Sequence, residues 1–202
     1  MTPRSYVQGR RAEAATATRE RVIAAAAELY RERRIAGATL QAIAQRADVS
    51  RGTILNHFGG TSGLLEAVLD HVMSTLDLPD ERVFEGAADV DERIRRFVDA
   101  LLRFYDRTAE WWEVFGSEMD HPTLQARETT FWVAIGRAQA AALGPLAKDR
   151  LVAAAVTGFV HPAMLGTMRA AGATLEEVVE IIRDAIVDMV RRRADLAPSG
   201  AS

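Results

Sequence analysis

The sequence predicts an all-α fold, and three observations carry that expectation. Apolar residues recur at three- and four-residue spacing along almost the whole chain. No alternating strand pattern runs longer than a few residues, and no Asn-Gly hairpin signal occurs. The punctuation between periodic stretches consists of helix caps rather than strand turns. At 202 residues, 49% hydrophobic and 26% charged, the chain has the composition of a globular protein and the length to bury a substantial core. No run of about 18 uncharged apolar residues is present, so no membrane-spanning helix is expected. The first residues are charged and lack the apolar centre of a signal peptide. Cysteine is absent, which excludes disulfides and thiolate metal sites and fits a cytoplasmic chain.

The elements follow in order. The first helix is expected from Thr18 to Arg34, burying Val22, Ala26, Leu29 and Tyr30. Thr39 stands at an N-cap position, and Leu40, Ile43, Ala44 and Ala47 behind it have helical spacing. The pattern breaks at Asp48-Val49. Ser50 then caps a short third helix that carries Ile54 and ends near Phe58, before Gly59-Gly60. Thr61 or Ser62 opens a fourth helix reaching Leu76, with Leu64, Leu65, Val68, Leu69 and Val72 inside. Residues 77–90 read as a loop, with Pro79, Gly86 and many acids. From Asp91 a stripe of Ile94, Phe97, Val98, Leu101, Leu102 and Tyr105 returns. A tryptophan-rich segment follows, and His121-Pro122 begins a helix through Leu124, Phe131 and Ile135. Residues 148–171 read as one small-residue-rich helix bent at Pro162. Thr174 with Glu177 forms a capping box ahead of the last helix. The final residues, from 196 on, have nothing to bury and are expected to be disordered.

The net charge of −3 conceals an asymmetry. Residues 1–58 carry ten arginines against five acids, whereas the remainder carries 15 bases against 23 acids. A basic head on an acidic body points the head at a polyanion.

The stretch LQAIAQRADVSRGTILNHFGG, residues 40–60, shows how. Two short helices joined by a tight turn make a helix-turn-helix unit. Ala44 must be small because the second helix crosses close to the first. Asp48 falls where the turn needs a left-handed residue, which Asp tolerates. Val49 and Ile54 plug the angle between the helices. Packing leaves Arg51, Gly52, Thr53, Asn56 and His57 facing outward, and such a polar face suits a DNA major groove. Thr39 and Ser50 lie at helix N-termini, where free amides favour phosphate. Arg51 and Asn56 can contact guanine and adenine edges, Gly52 admits close approach, and Thr53 can touch thymine or phosphate. Gln41 can reach a base, and arginines 4, 10, 11 and 19 can reach flanking phosphates or the minor groove.

Residues 19–72, including "RERVIAAAAELYRERRIAG", resemble the N-terminal domain of TetR-family transcriptional repressors. The resemblance covers about a quarter of the chain closely and the remainder only in architecture. It implies a flexible basic arm over 1–17, a DNA-binding domain over 18–60, a ligand-binding and dimerisation domain over 61–195, and a tail over 196–202. It also implies a homodimer that binds a double-stranded palindromic operator and is released by a small molecule. Three positions depart from the family pattern. Leu55 stands where a phosphate-binding tyrosine is usual, Thr61 where a lysine is common, and Arg34 where a glycine usually follows the first helix.

By the same resemblance, helices spanning about 91–143 enclose an effector cavity. Its expected lining is Phe104, Trp111, Trp112, Phe115, Met119, Phe131 and Trp132, with Phe159, His161 and Met164, which favours a flat or apolar ligand. The last two helices are expected to form the dimer, because Ala153, Ala154, Ala155, Gly158 and Gly166 allow close approach.

An enzyme is the reading from another class, and the residues argue against it. There is no phosphate-binding glycine loop, no HExxH and no cysteine nucleophile. Glu118-x-x-His121 has the spacing of half a di-iron site, but such sites need two copies and further carboxylates, so neither metal nor cofactor is expected. The alternative retained is a helical small-molecule-binding protein that has lost sequence-specific DNA binding.

Overall fold

The computed structural model describes the backbone of residues 3–116, 118 and 120–195, with side chains from Gly9 onward. The described residues form helices and turns, as the periodicity requires. Among the described residues there are ten α-helices: α1 (Pro3–Gly37), α2 (Leu40–Arg46), α3 (Arg51–Phe58), α4 (Thr61–Thr75), α5 (Val90–Arg107), α6 (Ala109–Gly116), α7 (Pro122–Leu143), α8 (Arg150–Phe159), α9 (Pro162–Ala170) and α10 (Leu175–Asp195). They divide into two compact units. The first contains Met1–Leu76 and Glu110–Arg127, and the second contains Asp77–Ala109 and Glu128–Ser202.

In the first unit α1 begins well before the expected Thr18. Residues 9–17 are exposed along it, so burial contributes little to their helicity. Alanine, the best helix former, dominates that stretch, and the Thr18 hydroxyl donates back to the Ala14 carbonyl at 2.9 Å. The stretch expected to be a flexible arm is helical from Pro3. The tail expected to be disordered, 196–202, lies outside the described residues.

At the other end, α1 is broken internally at Arg34, whose φ of 61° and ψ of 174° are not helical. That region favours glycine, and a side-chain-bearing residue there costs on the order of 1–3 kcal/mol. Arg34 lies 3.8 Å from Glu113, an exposed pair that contributes little. Just beyond it, both oxygens of Glu118 accept from the Ala36 amide at 3.0 Å. Glu118 and burial together push the Tyr30 hydroxyl up to about 12, with burial the larger cause.

The core of this unit is one cluster drawn from every helix. Val22, Ala26, Leu29 and Tyr30 of α1 meet Ile43 and Ala44 of α2, Ile54 of α3, and Leu64, Leu65, Val68 and Val72 of α4. Val114 of α6 and Leu124 of α7 complete it. Ala44 is 2% exposed, as its crossing position demands. Asp48 takes the left-handed conformation expected of it, with φ 51°. Helix α3 ends on Gly59, also left-handed at φ 73°, whose amide donates to the Leu55 carbonyl. The chain then doubles back so tightly that a Cβ on Gly63 would stand 2.0 Å from the Phe58 carbonyl oxygen.

In the second unit α10 packs along α5 and against α8 and α9. Ile94, Phe97, Val98, Leu101 and Leu102 of α5 are buried with Val178, Val179, Ile182, Ile186 and Val190 of α10. Within the loop expected over 77–90, Asp80 caps a single 3-10 turn, Glu81–Phe84. Thr174 and Glu177 make the reciprocal capping box, with Glu177 accepting from the Thr174 amide at 2.7 Å and Thr174 accepting from the Glu177 amide at 3.2 Å. The single bent helix expected over 148–171 is instead two helices, α8 and α9, whose axes turn by 43°. Proline has no amide to donate and forces the preceding residue out of helical geometry. His161 is accordingly extended, at φ −67° and ψ 140°, and its Nδ1 accepts from the Ala163 amide at 3.2 Å to cap α9. Among the described residues no single helix is long and apolar enough to cross a membrane.

Two substitutions with opposite signs check this account of the first unit. Gly63→Ala, ordinarily helix-stabilising, is expected to lower stability by about 2 kcal/mol or more, because the new methyl displaces a backbone carbonyl. Arg34→Gly is expected to raise it by about 1 kcal/mol, the relieved strain exceeding the extra freedom of the unfolded chain. Thermal and urea unfolding of the two variants beside the parent chain measures both.

Candidate nucleic-acid interface

Two caps set the geometry of the candidate site. The Thr39 hydroxyl accepts from the Ala42 amide at 3.2 Å and starts α2. The Ser50 hydroxyl accepts from the Thr53 amide at 3.0 Å and starts α3, and it also pairs with the Thr53 hydroxyl at 2.9 Å. Each cap satisfies one amide and leaves others in its first turn directed outward. Ile54, fully buried, pins α3 to the core and fixes which residues face solvent.

The outward set is the expected one in the main. Gln41, Arg51, Gly52 and Asn56 are exposed, as are Thr39, Ser50 and Thr61. Thr53 and His57 are half-buried, Thr53 through its pairing with Ser50 and His57 beside the Phe58 ring, 6.1 Å away. Among the described residues, the side chains of Gln41, Arg51 and Asn56 have no hydrogen-bond or ion-pair partner. The expectation that Thr61 opens α4 holds, though it lies one position inside the helix, after Gly60.

Other arginines of the head are engaged within the fold. Arg46 contacts Glu32 at 2.6 Å and Glu28 at 3.6 Å, and its hydrogen bond holds the Glu32 carboxyl below the usual carboxylate range. Arg31 lies 3.6 Å from Glu110 and over the Trp111 ring. Arg19 lies over the Phe58 ring at 5.2 Å, which holds α1 against the end of α3. Arg127 pairs with Asp70.

The ten candidate effector residues are distributed over both units. Trp111, Trp112 and Phe115 belong to the first unit, where Trp111 and Phe115 stack at 5.2 Å against its core. Phe104, Phe131, Trp132, Phe159, His161 and Met164 belong to the second. There Phe131 stacks on Phe104 at 6.1 Å and meets Trp132 edge-on at 5.1 Å, and Trp132 stacks on His161 at 5.4 Å. Phe104 and Phe131 are buried, Trp132 and Phe159 half-buried, His161 and Met164 exposed. Met119 lies outside the described residues. The Glu118-x-x-His121 spacing is explained by capping: Glu118 holds the Ala36 amide, and His121 Nδ1 accepts from the Thr123 amide at 3.2 Å.

Residues 22–68, which contain α2, α3 and their packing partners, match the family model described as bacterial regulatory proteins, tetR family. The transcriptional regulator BetI of Paraburkholderia phytofirmans is 36% identical over 91 residues that cover 43% of this chain and 47% of that protein. Over residues 22–68 the chain is similar to the DNA-binding part of the TetR family. The transcriptional repressor NicS of Pseudomonas putida is 25% identical over 121 residues, 60% of this chain and 57% of NicS. The chain thus spans about half the length of the curated relatives it matches. The crystal structure of the multidrug binding protein EbrR complexed with imidazole has the same fold, with a TM-score of 0.57 at 20% identity over 91% of this chain and 92% of that one.

Against the TetR pattern, the three departures have structural counterparts. Arg34 occupies a glycine conformation. Leu55 is 42% exposed on the outward side of α3. Thr61 is exposed without charge. Sequence reading missed Gly63 and Glu118, since neither a helical glycine nor a loop acid announces the backbone group it meets.

Proposed function

We propose that the chain is a transcriptional regulator that binds a palindromic DNA operator as a homodimer and is released by a small apolar or aromatic effector. The observation that carries this reading is the unpartnered trio Gln41, Arg51 and Asn56, displayed on two capped helices whose inner faces are locked in the core. A rigid helix with arginine and asparagine outward is suited to bidentate contacts on guanine and adenine edges. The helical, exposed residues 9–17 bring Arg11 forward as a candidate for flanking phosphate. Relatives named as a transcriptional repressor and a transcriptional regulator support the same reading.

A groove of about 610 Å³ between α8 and α10 supports the dimer. Leu151, Val152, Ala155, Ala185 and Met189 line it, with Asp188, Arg192 and Arg193 at its polar positions. Leu151 is 74% exposed and Ile181 of α10 55% exposed, and nothing stands within 4 Å of a Cβ built on Gly158 or Gly166. Apolar, small-residue surface of this kind suits a self-complementary face between two copies. Two copies would then present two α3 helices to half-sites one helical turn apart.

The effector site is assigned to the second unit, around Phe104, Phe131, Trp132 and His161, where a planar ligand could extend the existing stack. EbrR, named a multidrug binding protein, supports small-molecule binding on this fold. The helix α7 contributes its first turns to one unit and the rest to the other, so a ligand that prefers one setting of α7 would bias the head.

Selection of genomic fragments with the purified chain, followed by gel shift on the selected operator, tests this reading. Arg51→Ala is expected to weaken binding by about 1–3 kcal/mol and to relax specificity at one base position. A planar aromatic effector is expected to release the operator, and absence of any sequence-specific complex favours the ligand-binding protein without DNA. Leu151→Glu is expected to leave each chain folded and convert the dimer to monomer, measured by sedimentation equilibrium.

A further inference from the structure

We infer that Gly52 and Leu55 form an apolar notch on α3 that reads the 5-methyl group of a thymine, an inference that rests on the DNA-binding reading above. Two anomalies lie side by side. Leu55 is a large hydrophobic side chain left 42% exposed on a helix whose other outward residues, Arg51 and Asn56, are polar. Gly52, three positions earlier and therefore its neighbour on the helix surface, is a glycine that the chain itself does not require.

The case for Gly52 is one of elimination. Its φ lies outside the left-handed range, so no backbone conformation calls for glycine. A Cβ built on it would meet only the Ser50 hydroxyl, at 3.6 Å, an ordinary contact. Glycine within a helix nevertheless costs about 1 kcal/mol relative to alanine. Gly63 makes the contrast, since there a Cβ would strike a carbonyl. The space above Gly52 is thus open to a group from outside the chain.

The two features have one common solution. An apolar group the size of a methyl, seated over Gly52, would lie against Leu55 and remove its exposed surface from water. The thymine 5-methyl is the apolar group that base edges present in the major groove. Asn56, four positions from Gly52 on the same side, can pair with an adenine edge. Leu55 has no polar atom for phosphate, so its contribution is to base choice rather than to salt-dependent affinity.

The test uses the full chain and the operator fixed by selection, with each thymine replaced in turn by deoxyuridine, which removes the methyl and nothing else. At one thymine per half-site, affinity is expected to fall about three- to tenfold. In Leu55→Ala the same replacement is expected to change affinity by less than about twofold. Gly52→Ala is expected to weaken the thymine-containing operator by about tenfold or more while raising thermal stability, which separates a filled notch from a misfolded head. The inference is overturned if every deoxyuridine operator binds like the parent, or if the loss persists at full size in Leu55→Ala. Failure to obtain any sequence-specific complex refutes the DNA-binding reading itself, and this inference with it.

Discussion

Between the carbonyl oxygen of Phe58 and the α-carbon of Gly63 there is room for a hydrogen atom and nothing larger. The left-handed Gly59 and the missing side chain of Gly63 let α4 turn back directly beneath the end of α3. Because of that turn, Ile54 reaches the same cluster as Leu64 and Val68, and the ring of Phe58 is left where Arg19 of α1 can cover it. The outward direction of α3 is therefore fixed from its inner side and from its last residue. A short helix has little stability of its own, so its orientation is only as good as these anchors.

The first unit is also closed by residues distant in sequence. Glu118 supplies acceptors to the amide of Ala36, and Arg31 and Arg34 reach Glu110 and Glu113. The head is thus not a self-contained N-terminal segment, since α6 and the start of α7 belong to its core through Val114 and Leu124. Arg34 sits in this junction in a conformation that suits glycine, so local strain is held in place by surrounding contacts rather than by the residue's own preference.

Much of this was legible in the sequence, and the division follows the range of the interactions. Caps are local, and Thr39, Ser50, His121 and the Thr174–Glu177 box could each be placed from two or three neighbouring residues. Periodicity is local too, and it placed Val22, Ile43, Ile54, Leu64 and Ile94 inside. The left-handed Asp48 followed from turn chemistry. What could not be read were contacts set by the tertiary path. Gly63 looks like any helical glycine, and Glu118 like any surface acid. The break at His161 is not fixed by the sequence, because a proline can either bend a helix or end it, and the outcome depends on whether a neighbour restores the lost backbone bond. The division of the aromatic residues over two units depends on the tertiary path, which neighbouring positions in the chain do not announce.

That distribution has a spectroscopic consequence. Trp111 and Trp112 belong to one unit and Trp132 to the other, and the chain contains no cysteine. A variant retaining Trp132 alone would report through its emission on the neighbourhood of His161, while one keeping Trp111 alone would report on the region under Arg31. A single introduced thiol would carry a dye without competing sites, so each half of the molecule can be observed separately as it unfolds.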